Sequence, residues 1–123
     1  MEKELITYIL PSQLVEHFDV EKVSEYPIPG TKRFELHIHL VEKNILPEGL
    51  DSSEWESKGF TESKKIQDFP LRGKMVYLLL KCRRWRNKQD PGRIVRNDFS
   101  FLADGAKMTA DLSAFLKDTG RGT

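Results

Sequence analysis

The chain has a single cysteine, Cys82, so neither an internal disulfide framework nor a cysteine-based zinc ribbon can form within it. Its longest apolar run, Met75 to Leu80, falls far short of the roughly 20 residues a membrane-spanning helix needs. Met1-Glu2-Lys3-Glu4 mixes both charges ahead of a broken apolar segment, which does not read as a secretory signal. There is no glycine-rich phosphate loop, internal repeat or low-complexity tract. These absences predict a cytoplasmic protein with no membrane partner. The 123 residues and 38% hydrophobic content suit one domain with its own core.

Net charge is also nearly missing, at +1, but it is divided unevenly. Up to Glu62 there are 6 Lys and Arg against 13 Asp and Glu; from Ser63 onward there are 14 against 6. Such blocks point to a polyanionic partner for the basic half, or else to opposite faces of one domain that neutralise each other. The pI of 7.8 is lower than that of a dedicated nucleic-acid domain.

The hydrophobic pattern predicts an α+β domain: short N-terminal helices, an antiparallel β-meander of about five strands, and a C-terminal helix packed on the sheet. Leu5 and Ile9 suit a short helix that Pro11 ends, and Leu14 and Phe18 mark a second. Asp19 to Tyr26 reads as a strand leading to the Pro27-Ile28-Pro29-Gly30 turn. From Arg33 to Val41, Phe34, Leu36, Ile38 and Leu40 alternate with Glu35, His37 and His39, giving one buried and one wet face. Residues 44–58 read as a long connection with one helical turn near Trp55, dividing an acidic lobe (1–43) from a basic one (59–118).

Beyond it, Phe60 to Phe69, Met75 to Arg86 and Arg93 to Ala103 each read as one strand, the last from the alternation of Val95, Asn97, Phe99 and Phe101. Turns fall at Pro70 to Gly73 and at Asp90-Pro91-Gly92. Met108, Leu112, Phe115 and Leu116 form the stripe of a closing helix, entered at Asp104 or Gly105 and followed by Gly120. Arg121 to Thr123 reads as a loose tail.

The basic concentration lies between Lys64 and Arg96, with 11 Lys and Arg and only two acids, Asp68 and Asp90. Alternation puts Lys81, Arg83 and Trp85 on one strand face and Cys82, Arg84 and Arg86 on the other. Cations on both faces of a ribbon end call for solvent or phosphate, and a two-stranded ribbon can enter a major groove. The plainer alternative is a solvated edge strand protected from aggregation by its charge. Lys64, Lys65, Lys74, Lys81, Lys88 and Arg93 are candidate phosphate contacts. Arg83, Arg84 and Arg86 are candidates for the groove, and Trp85 for bracing the ribbon or stacking on a base. Arg72 and Arg96 complete the DNA-binding set.

Catalysis finds little support. His37 and His39 share a strand face and so could hold a metal, with Glu35 beside them, but no further ligand has supporting spacing. Cys82 stands next to Arg83, which could depress its pKa, yet no His or Asn is placed to activate it. The acids Asp19, Glu21, Glu25 and Glu35 suit a solvated hairpin. The expectation is a non-enzymatic protein with no cofactor and no metal.

The segment from Lys65 through Asp68-Phe69-Pro70, Gly73 and the apolar strand to Arg83-Arg84-Trp85-Arg86 resembles the N-terminal region of ISAon-type bacterial insertion-sequence transposases, a short first frame whose catalytic portion is a separate protein. Gly105-Ala106-Lys107-Met108-Thr109 and the helix through Phe115 resemble that family's end; the likeness is specific mainly from Gly59 to Lys117. It implies binding to double-stranded DNA at the element's terminal repeats, with an acidic-triad nuclease on the catalytic transposase subunit as partner. Matching basic positions are Lys65, Arg72, Lys74, Arg83, Arg84 and Arg86. Related single-chain transposases carry a zinc ribbon around this motif. Here no Cys pair precedes Asp68 and Asn87 stands where a ligand is expected, so hydrophobic packing should replace the metal. A module that docks on the catalytic subunit without touching DNA is the alternative, and a metal-dependent hydrolase built on His37 and His39 a third class.

Overall fold

A computed structural model describes residues 3–103 and 109–119. Two short helices, α1 (Lys3–Ile9) and α2 (Ser12–His17), precede strands β1 (Phe18–Pro27) and β2 (Phe34–Glu42). Then come β3 (Trp55–Phe60), β4 (Lys64–Gln67), β5 (Met75–Lys81), β6 (Arg83–Asn87), β7 (Ile94–Arg96), a 3-10 turn (Ser100–Ala103) and α3 (Ala110–Asp118). The class is α+β. The strands form two sheets, β1-β2-β5-β4 and β3-β6-β7, and the β2–β5 pairing is parallel while the others are antiparallel.

One long hairpin ties the sheets together. Its first arm is β3 followed by β4, its second β5 followed by β6, and each arm changes sheet halfway. At the crossing Thr61 donates its backbone N–H to the Cys82 carbonyl at 2.8 Å, and its hydroxyl accepts from the Cys82 N–H at 3.1 Å. The arms therefore stay paired where regular strand geometry lapses. The hairpin closes tightly: Leu71 and Lys74 exchange both backbone hydrogen bonds, with Arg72 and Gly73 at φ of 50° and 78°. Two positive φ values in a two-residue loop match the right-handed twist of the flanking strands, although arginine seldom adopts one. Gly59, at φ 82°, sits at the irregularity that offsets β3 from β6.

The first sheet owes its inner face to strict alternation. Leu36, Ile38 and Leu40 of β2, Val76, Leu78 and Leu80 of β5 and Ile66 of β4 are buried together. Ile6 of α1, Leu10 of the link and Leu14 of α2 cover them, and Leu112 and Leu116 do so from α3. Thr109 caps α3, its hydroxyl accepting from the Leu112 N–H at 3.3 Å and donating to the Gln67 carbonyl at 2.7 Å, which fixes the helix to β4.

Several expectations change. The connection from β2 is shorter than predicted because Trp55 opens β3, although one turn does close before it, with the Trp55 N–H on the Asp51 carbonyl at 3.0 Å. Phe60 to Phe69 and Met75 to Arg86 are each interrupted at the sheet crossing. Of the predicted Arg93 to Ala103 strand only Ile94–Arg96 is extended; Phe99, just before the 3-10 turn, is buried and Phe101 within it is exposed, so the two rings do not share a face as strand alternation requires. The helix entry at Asp104 or Gly105, Met108 of its stripe, Gly120 and the tail lie outside the described residues. No helix among the described residues is long and apolar enough to cross a membrane.

Candidate nucleic-acid interface

Folding folds the charge division back on itself. Lys74 reaches Glu25 at 2.7 Å, Lys81 approaches Glu21 at 3.7 Å, and Arg86 grips Glu56 through Nη2 at 2.7 Å and Nε at 3.1 Å. The Lys74 hydrogen bond and charge hold the Glu25 carboxyl below its ordinary pKa. Three of the predicted DNA contacts thus already face carboxylates from the acidic half.

The others divide among separate places. Arg72 is exposed at the tip of the long hairpin, and Lys65 lies over the Tyr77 ring, its Nζ 4.3 Å from the centroid. Lys64 and Arg96 line one cleft with Cys82, Phe115 and Asp118. Lys88 and Arg93 mark the outer end of the β6–β7 hairpin: Lys88 Nζ donates to the Ser52 carbonyl at 3.1 Å, and the Arg93 guanidinium lies 5.4 Å from the Trp55 ring. The twelve residues do not make one continuous patch.

Their density is greatest on β6–β7. Residues 83–96 carry six cations and one carboxylate, Asp90. In this pair Arg84 stands directly opposite Arg96. Like charges facing across strands destabilise a sheet, and an anion between them reverses the sign of that interaction. Arg84 Nε is buried without a hydrogen-bond partner among the described residues. On the opposite face Arg83 lies over Phe60 at 4.6 Å and Trp85 at 5.8 Å, while its Nη1 donates to the Ser57 hydroxyl at 2.8 Å. Trp85 is 2% exposed. It braces the ribbon, and a base cannot stack on it without Arg83 moving away.

Glu42 is a further residue of this region, and its phase in the sequence marks it: it continues the buried series of Leu36, Ile38 and Leu40. At 2% exposure it sits where β2 ends and β7 takes its place beside the long hairpin. One carboxylate oxygen accepts from the Arg83 N–H at 3.0 Å, extending the ladder, and the other from Asn97 Nδ2 at 2.9 Å. Burial pushes its pKa up, against the lowering effect of these bonds. The neighbouring Cys82 thiol rises to about 12, through burial first and Glu42 second, so the expected depression by an adjacent arginine does not occur. A thiol held in that state is a poor nucleophile.

His37 and His39 do share the wet face. His37 Nε2 lies 3.2 Å from Glu35, while the pKa of His39 is lowered by burial first and by the charge on Lys22 next. Among the described residues no group of three or more His, Cys, Asp or Glu is placed to hold a metal ion.

The chain matches no family model, no curated protein and no solved structure.

Proposed function

We propose that this chain is the non-catalytic, DNA-binding N-terminal subunit of a split transposase, acting in the cytoplasm at the nucleoid and delivering the ends of a mobile element to a separately encoded catalytic protein. The observation that carries the reading is the β6–β7 ribbon, where Arg84 Nε is buried without a hydrogen-bond partner among the described residues and Lys88 and Arg93 extend the cationic run to the hairpin's outer end, with Asp51 close enough to Lys88 to feel its charge. A phosphate beside Arg84 satisfies a buried donor, and each phosphate neutralised releases counterions. Arg84, Lys88, Arg93 and Arg96 are then the principal contacts, with Lys64 and Arg72 secondary. Lys74, Lys81 and Arg86 serve mainly to join the acidic and basic halves, and Arg83 and Trp85 stiffen the ribbon. The motif from Lys65 to Arg86 supplies the transposase part of the reading.

The test is an anisotropy titration of a duplex bearing the element's terminal repeats at two salt concentrations. Binding that weakens steeply with salt supports the proposal, and absence of binding by folded protein at low salt removes it. A second reading, docking on the catalytic subunit without DNA contact, is favoured by a separate observation. Leu5, Tyr8 and Ile9 of α1 and Phe69 of the turn are all exposed, and Ile9 and Phe69 line a cleft of about 260 Å³. Co-purification with the product of the next reading frame, with and without DNA, separates the two.

A further inference from the structure

The outer face of the first sheet takes no part in that reading. The helices bury the inner face, and the outer one presents a row of rings across its strands. Tyr26 of β1 lies 4.6 Å from His37 of β2 between ring centroids, and His37 lies 5.6 Å from Tyr77 of β5. Lys65 of β4 ends the row over Tyr77. At the other edge Lys22 of β1 is exposed and in register with His39. Tyr26 is 45% exposed although it sits within a strand. An outer face intended only for water has no need of an aromatic row, and one meant for an apolar protein surface is poorly served by lysines at both edges.

We propose that this face binds single-stranded DNA, with one base stacking on the exposed Tyr26 and a second on Tyr77 once Lys65 leaves its ring for a phosphate, while Lys22 meets the backbone at the other edge. Aromatic rings on an open sheet accept any base, because every base has a π face, and flanking lysines follow the backbone. Ribose 2′-hydroxyls call for hydrogen-bond acceptors. Of the carboxylates on this face, Glu35 already lies 3.2 Å from His37, which leaves one fewer acceptor for a ribose and favours DNA; Glu21, 3.7 Å from Lys81, lies beyond hydrogen-bond distance. The surface is distinct from the β6–β7 ribbon, so the inference goes beyond the duplex-binding reading and can fail separately from it.

The experiment is an anisotropy titration of a labelled thymidine oligomer of about twelve nucleotides, within the range of site sizes for such surfaces. The full chain, the Tyr26→Ala/Tyr77→Ala variant and the Lys22→Glu/Lys65→Glu variant are compared, with circular dichroism to verify folding. The expected result is salt-sensitive binding by the wild type that falls about tenfold or more in each double variant, while duplex binding by the Tyr26→Ala/Tyr77→Ala variant persists. Tyr26→Ala alone, at an exposed position, should give a measurable part of that loss if the double variant does not fold. No binding of the oligomer at low salt, equal binding by folded variants, or tighter binding of a uridine oligoribonucleotide of the same length overturns the inference. Oligomer binding without duplex binding would instead count against the ribbon reading alone.

Discussion

The two sheets share a hairpin yet differ in how they cover their side chains. In the first, aliphatic residues of β2, β4 and β5 meet three helices, and Lys74 and Lys81, at the two ends of β5, are matched by Glu25 and Glu21. In the second, the buried Trp55 and Trp85 stand apart from the main core, each with an arginine over its ring. Continuous strands therefore do opposite things in their two halves. Met75 to Leu80 supplies core. After the crossing at Cys82, the same chain carries cations that the acidic half does not fully match. What covers a strand, more than its composition, decides whether a basic residue is structural or available to a ligand.

That contrast can be broken most forcefully in the first sheet. Leu78→Ala removes a fully buried side chain facing the helices and should cost about 2–5 kcal/mol in urea unfolding. A smaller loss would mean that the helices pack loosely on the sheet. Next in size is the seam. Glu42→Ala leaves the Arg83 N–H and Asn97 amide without their acceptors and should cost about 1–3 kcal/mol. Glu42→Gln retains an acceptor and should cost less.

Its pH dependence has a definite sign. Because the folded pKa of Glu42 is raised above 4.5, the stability it contributes is full below that pH and is lost as pH rises through the folded value. The advantage of wild type over Glu42→Gln should therefore shrink as pH rises from 4.5, as measured by paired urea midpoints. The smallest effect belongs to Arg86 and Glu56, which are 35% and 40% exposed. A double-mutant cycle should give about 0.2–1 kcal/mol, fading at high salt.

Much of this was legible in the residues. The alternation from Phe34 to Val41 located β2 and buried Leu36, Ile38 and Leu40 as expected, because a one-residue slip would have exposed all three; Phe34, at the strand's open end, is instead exposed. The same strand carries Glu42, also in the buried phase. The sheet crossing was not legible: Cys82 continues the phase of Leu78 and Leu80, and only the exchange of neighbouring strands marks the break. Parallel pairing of β2 with β5 depends on contacts far apart in sequence, which local periodicity does not encode. At the candidate site, the faces of Arg83 and Arg84 followed from alternation. The pairing of Lys74, Lys81 and Arg86 with distant acids did not, since Glu25, Glu21 and Glu56 reach them only after the sheets assemble.

Duplex binding is proposed for Arg84, Lys88 and Arg93 of the β6–β7 hairpin and not for Lys74 and Lys81, which lie against Glu25 and Glu21. The direct measurement is the slope of log K against log salt for a terminal-repeat duplex. Replacing Arg84 and Lys88 by Gln should make the slope shallower by roughly 1–2, close to one unit per lost phosphate contact. Replacing Lys74 and Lys81 by Gln should leave it nearly unchanged. Equal loss of slope in both variants, or no change in the first, would contradict the account.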